Sequence, residues 1–177
     1  MIAQAADLDA RYMRQLQVGS AEELPITDDS VDFAFMVDVV HVIGNLDQMA
    51  AEALRLLRPG GKFAIATDSE EDIRGTIPLR TYFPETVPVE LQRYPSMDHL
   101  TSVLGQVGFA EIALVPVRRD YELTDISMYR NRAASSLRLI SDEAHAAGME
   151  SLEAALAVGP IQAISRYTVV EAGKPVV

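Results

Sequence analysis

Cysteine is absent from the 177 residues, which excludes disulfides, zinc–thiolate clusters and thiol nucleophiles. That composition fits a reducing compartment, and a cytoplasmic location is the expectation. Basic charge is scarce: 15 Lys and Arg stand against 26 Asp and Glu, a net charge of −11. A surface of that sign repels phosphate backbones. The densest basic run, Arg118-Arg119, is followed at once by Asp120, so nucleic acid is disfavoured as a partner. Long apolar runs are lacking too. Val31 to Ile43 is interrupted by Asp38 and too short to cross a bilayer. Met1 to Arg14 lacks the basic start and apolar centre of a signal peptide, so no membrane association is expected. No Gly-x-Gly precedes residue 60, and no repeat or low-complexity tract is visible.

What is present reads as a single domain over 1–177, with 49% apolar and 23% charged residues. Met1, Ala5, Leu8, Tyr12 and Leu16 fall on one helical stripe, predicting a helix over 1–17. Val18-Gly19-Ser20 reads as a short strand, and 24–30 as a loop rich in turn residues. Asp32 to Val37 is apolar without alternation, as in a parallel strand buried on both faces. Asn45, with Gln48 three residues on, starts a helix whose buried stripe is Leu46, Met49, Ala50, Ala53, Leu54 and Leu57. Pro59-Gly60-Gly61 stops that helix, and Lys62 to Thr67 is a second buried strand. Residues 68–95 read as irregular. Ser96 caps a helix ended by Gly108, Glu111 to Val117 is a strand that can extend to Leu123, 125–158 is helical, and Ala163 to Glu171 is a final strand. Alternation of this kind gives an α/β layered sheet with helices on its faces. The helical stretch 125–160 is extra to that scheme and predicts a lid or substrate wall.

Three stretches together resemble the class I S-adenosylmethionine-dependent methyltransferases, in particular the ubiquinone and menaquinone C-methyltransferases and the methyltransferase type 11 domain. They are Gly19-Ser20-Ala21-Glu22-Glu23-Leu24-Pro25 with Ser30-Val31-Asp32, then Val39-Val40-His41-Val42-Ile43, then Glu52 with Arg55-Leu56-Leu57-Arg58-Pro59-Gly60-Gly61-Lys62. Leu104 with Gly108-Phe109 resembles a later element of the family. The resemblance covers residues 1 to about 115. It implies a Rossmann-like sheet lacking its first two strands, with a helical insertion before the last strand. It also implies that the chain starts just past the family's glycine-rich turn and ribose-binding acid, which leaves binding of S-adenosylmethionine by this chain in question.

By the same resemblance, Ser20, Ala21 and Glu22 line the adenine end of the cofactor, with Ser20 where the family often has Asp. Met36 and Val37 face the sulfonium side, outside the carboxyl end of a parallel strand. The plain alternatives are core packing for Met36 and Val37 and a solvated loop acid for Glu22. Asp38 either caps the following segment or faces the site. His41 is a candidate general base, since imidazole titrates near neutrality, or else a hydrogen-bonded structural residue. His99 reads as structural and His145 as solvent-facing. Tyr82, Arg93 and Tyr94 are candidate substrate residues, with loop anchoring as the alternative, and Tyr129, Arg130, Arg132 and Ser135 are candidate lid residues, with ordinary packing as the alternative. No metal site is expected.

The family implies methyl transfer to a small molecule. No Asn-Pro-Pro-Tyr-type element follows the Asp32 to Val37 strand. By resemblance that argues against a nucleobase amine and for an oxygen or carbon acceptor. The competing reading is a catalytically inactive scaffold serving as a dimerisation or interaction module. Either way the Phe33 to Val37 strand is expected to have a bare edge, and a homodimer through that edge is expected.

Overall fold

The computed structural model describes residues 18–176. Four strands form one sheet: β1 (Val31–Val37), β2 (Leu57–Thr67), β3 (Ala110–Leu123) and β4 (Ile161–Gly173), in the order β1-β2-β4-β3. β1 and β2 are parallel, with Phe33 opposite Lys62 and Met36 opposite Ile65. β4 runs antiparallel to both its neighbours, with Ile65 opposite Val170 and Leu123 opposite Ile161. The expected mixed α/β sheet of the class I methyltransferase type is thus present. The predicted helix over 1–17 lies outside the described residues.

Helix α1 (Leu46–Leu56) starts where the Asn45 side chain accepts a hydrogen bond from the Gln48 amide at 3.0 Å. The helix gives way to β2 at Leu57, not at the glycines as expected, and the Pro59-Gly60-Gly61 corner lies inside β2. Gly60 has φ +80°, a conformation costly for residues with a Cβ. At Gly61 a Cβ would lie 2.9 Å from the Arg58 carbonyl oxygen and 3.1 Å from that of Asp32, so the turn closes only with glycine. Helix α5 (Met97–Val107) is capped by Ser96 and ended by Gly108 at φ +118°. Met49, Ala50 and Ala53 of α1 and Leu100, Val103 and Leu104 of α5 pack on Phe63, Ile65 and Val170 of the sheet.

Three expectations need correction. Val18 to Ser20 is not a strand; Ser20 makes only an isolated bridge to Glu23. β1 is not buried on both faces among the described residues: Phe33 (56%), Phe35 (68%) and Val37 (55%) stay exposed on the face away from α1 and α5. The apolar run was read as two-sided burial because it carries no alternation, yet only one of its faces meets these helices. Residues 68–95 are not irregular: they hold α2 (Glu70–Gly75), α3 (Leu79–Tyr82) and α4 (Thr86–Arg93). Such short helices show no amphipathic period, but the Ser69–Asp72 capping box was a visible signal.

The β3–β4 hairpin runs well beyond β1 and β2, and 124–160 fold onto its far end as α6 (Ser127–Arg130), a 3-10 turn (Ser135–Arg138) and α7 (Asp142–Val158). This region has its own core, with Phe83, Leu137 and Leu152 fully buried beside Tyr129, Met149 and Ile161. Gly148 lets α7 touch Phe83: a Cβ there would run into the Phe83 ring and lie 2.5 Å from the Tyr82 carbonyl oxygen. Gly148→Ala should therefore lower the urea midpoint, by about 1–3 kcal/mol from overpacking, although alanine alone favours helix by about 1 kcal/mol.

Candidate active site

Sheets of this kind hold ligands outside the carboxyl ends of their parallel strands. There the residue after β1 is Asp38, at φ +50°, and the residue after β2 is Asp68. Both line a cavity of about 440 Å³. Its other walls come from α2 and the start of α3, from Glu90 and Tyr94 on and after α4, from Tyr121 and Tyr167 of the hairpin, and from Met128 to Ser136 of the inserted segment. The volume is in the range of small-molecule pockets.

The carboxylates are fixed differently. Asp72 is buried, and its Oδ2 accepts hydrogen bonds from the Ser69 amide (3.0 Å), the Ser69 hydroxyl (2.6 Å) and the Thr168 hydroxyl (2.6 Å), which ties α2 to β4. Asp38 accepts from the Tyr94 hydroxyl at 2.7 Å, so it faces the site, the second of its two readings. Glu90 is paired with Arg93 at 3.3 Å. Asp68 finds no hydrogen-bond donor among the described residues. Burial, reinforced by the charges of Asp38, Asp72 and Glu90, pushes its carboxyl up to about 7. Sequence reasoning missed Asp68, which is one of many acids at strand ends; only the fold surrounds it with three others.

His41 lies behind Tyr94, its ring stacked at 4.3 Å and its side chain 7% exposed. Burial, then the nearby Arg93 charge, lowers its pKa from 6.5. Its Nδ1 has no hydrogen-bond partner among the described residues and lies 3.8 Å from Asp38. His41 is not among the residues that line the cavity.

Of the acceptor candidates, Tyr94, Tyr129 and Ser135 line the cavity. Tyr82 packs instead against the second core, and Arg93 bridges Glu90 and the Ser135 hydroxyl. Arg130 points away to an ion pair with Glu153 at 2.9 Å, and Arg132 pairs with Asp142 at 2.6 Å. His145 is not solvent-facing. Its ring stacks on Phe83 at 5.8 Å, and Nε2 is 3.0 Å from the Tyr129 carbonyl oxygen. Ser96 caps the helix through the His99 amide, in keeping with a structural position.

The segment matched to the adenine end is clamped to α1. Glu22 accepts from the Asn45 amide at 2.7 Å and from the Ser20 hydroxyl at 3.1 Å. Glu52, in the middle of α1, accepts from the Leu24 amide at 2.7 Å and from Arg55 Nε at 2.8 Å. That guanidinium holds the Glu52 carboxyl below the usual range. Arg55 in turn donates to the carbonyls of Ile26 (2.8 Å) and Leu24 (3.1 Å) and pairs with Asp28. Ala21 and Met36 pack against the main core, while Val37 lies on the exposed face. Residues 20–28 thus form a loop of fixed shape held against α1.

Residues 1–65 match a family model described as a methyltransferase domain. The malonyl-[acyl-carrier protein] O-methyltransferase of Methylococcus capsulatus is 44% identical over 55 residues, covering 31% of this chain and 20% of that protein. A ubiquinone/menaquinone biosynthesis C-methyltransferase of Rickettsia felis is 25% identical over 131 residues, 62% of this chain and 51% of that protein. The chain thus spans only about a fifth to a half of the length of these curated relatives. Among solved structures, a methyltransferase from an antibiotic biosynthesis pathway of Anabaena variabilis is similar with TM-score 0.70 and 24% identity, over 88% of this chain and 72% of that one. One from Bacillus halodurans has TM-score 0.55 and 15% identity, over 89% and 76%. The structural likeness shows the fold. Together with the sequence matches it bears out the resemblance to class I S-adenosylmethionine-dependent methyltransferases.

Two outcomes follow from this geometry. Glu52→Ala strands the Leu24 amide and frees Arg55, and should cost about 1–3 kcal/mol in urea unfolding while speeding amide exchange over 20–28. For Asp68, the folded protein keeps its proton up to about pH 7, whereas the unfolded chain releases it near 3.8. The stability tied to that proton is full below 3.8 and is lost as the pH rises through 7. Asp68→Asn should therefore raise the urea midpoint above pH 7, with the gain closing toward 3.8.

Proposed function

We propose that the chain binds S-adenosylmethionine and positions it for methyl transfer to an oxygen or carbon atom of a small molecule held in the cavity beyond β1 and β2. Two observations carry this reading: the loop 20–28, fixed to α1 by Glu22, Glu52 and Arg55, and a cavity at the carboxyl ends of two parallel strands. Ser20, Ala21 and Glu22 would border the adenine, and Met36 and Val37 the sulfonium side. When bound, the cofactor supplies a methyl group activated by positive sulfur. The protein's part is then mostly positioning, because an in-line displacement gains most from held geometry. Tyr94 and Tyr129 would wall the acceptor. His41 would act on it through Tyr94, as a positioning residue, rather than by direct proton transfer. The segment 125–160 is taken as the lid of this site.

The inactive-scaffold alternative is not favoured, since the matches are to methyltransferases. Self-association remains part of the proposal. Among the described residues β1 is hydrogen-bonded only to β2, and Phe33 and Phe35 are exposed beside its open edge. A cytoplasmic location is proposed with it; among the described residues no helix is long and apolar enough to cross a membrane.

Calorimetry with S-adenosylmethionine tests the central claim. Saturable binding is expected, weakened in Glu52→Ala; a flat titration at millimolar ligand overturns the reading. Sedimentation should show a dimer that Phe35→Lys converts to monomer, and a monomeric parent protein would remove the dimer claim.

A further inference from the structure

The charged groups that line the cavity are mostly acids: Asp38, Asp68 and Glu90 against Arg166. Arg166, on the β4 wall, donates from Nη1 to Glu71 at 3.0 Å while its buried Nε has no hydrogen-bond partner among the described residues, and Arg93 pairs with Glu90 at 3.3 Å. No partner of that kind meets Asp68, and Asp38 receives only the Tyr94 hydroxyl, with His41 Nδ1 3.8 Å away. A second sign of a missing ligand stands on the opposite wall. Ser136 is 1% exposed, lines the cavity, and its hydroxyl has no hydrogen-bond partner among the described residues. Buried polar atoms in proteins nearly always have partners, so a buried orphan facing a cavity points to a group that fills it. Between these walls the lining is aromatic, with Tyr94, Tyr121 and Tyr167. Carboxylates flanked by aromatic rings suit an ammonium ion, which gains both from charge pairing and from the ring faces.

We propose that this cavity selects a ligand with a protonated amino group beside an apolar or aromatic body, its ammonium taken by Asp68 and Asp38 and its body laid against the tyrosines. The inference rests on the preceding one only in taking the cavity as the acceptor's place. It names the class of acceptor: an amine-bearing small molecule, whatever atom receives the methyl group.

Phenethylamine is a suitable probe, with phenethyl alcohol as its neutral counterpart and hydrocinnamate as its anionic one. Binding to the full chain, without cofactor, can be followed by calorimetry or ligand-observed magnetic resonance. Phenethylamine should bind saturably and roughly tenfold more tightly than the alcohol, with hydrocinnamate weakest. Asp68→Asn, which keeps the shape of the protonated acid, should abolish the preference for the amine while leaving affinity for the alcohol unchanged. Amine affinity should rise from about pH 6 to about pH 8 as Asp68 loses its proton. The other groups facing it, Asp38, Asp72, Glu90, Tyr94, Tyr167 and Arg166, would be in place in both arms. Equal affinity for amine and alcohol, preference for hydrocinnamate at Arg166, an unchanged Asp68→Asn variant, or no binding of any probe would each overturn the proposal. Failure of cofactor binding would not touch it, and loss of amine selectivity would leave cofactor binding intact.

Discussion

The carboxylate of Glu52 holds together pieces of chain that have no other reason to meet. It takes the Leu24 amide on one side and the Arg55 guanidinium on the other, from a position one-tenth exposed on the inner part of α1. Arg55 passes the connection on to the Ile26 carbonyl and to Asp28. A loop of turn residues, which would otherwise be free to move, thereby acquires a fixed shape. Charge-assisted hydrogen bonds are short and about twice as strong as neutral ones, and those of Glu52 are half-buried while those to Ile26 and Asp28 lie at the surface. The loop's earlier part is pinned by the same logic, through Glu22 at the start of α1. The wall proposed for the cofactor exists because two acids and one arginine keep it against a helix.

The second constraint is the length of the hairpin. β3 and β4 outrun β1 and β2, and so the sheet has a far end with nothing parallel beside it. That end is covered by α3, α6 and α7 around Phe83, Leu137 and Leu152. Between the two cores a gap remains, and the gap is the cavity. Its three acids, Asp38, Asp68 and Glu90, come from separate elements, and they crowd because each is placed by its own backbone rather than by attraction. Burial, with the crowding of charge added to it, pushes the Asp68 carboxyl up to about 7. An arrangement that costs stability in the empty protein is the kind found at functional sites, where the field awaits a partner of opposite charge.

Much of the architecture was legible in the residues. The Asn45 cap, the glycine corner at 60–61 and the Ser96–Gly108 helix were read with their bounds nearly correct, because each rests on local backbone chemistry. The Glu-x-x-Arg block was recognised as a family sign without its reason, which is the clamp on the preceding loop. Short helices over 70–93 were missed because four to eight residues show no period. Tyr94, Tyr129 and Ser135 were placed at the site, yet Tyr82 and Arg130 were not brought there, since aromatic and basic residues in the same stretch point to opposite sides of it.

By itself the sequence determined the order of the strands and longer helices, the turns that glycine alone allows, and the resemblance to methyltransferases, since these depend on neighbours a few residues apart or on short motifs in a fixed order. Only the tertiary structure decided which acids share a cavity, that His41 stands behind Tyr94, and that one face of β1 is left uncovered by α1 and α5. Those facts depend on distances between segments far apart in the chain, such as Asp38 to Tyr94 or Asp72 to Thr168. Packing sets such distances, and packing is a property of the whole sheet rather than of any stretch of it.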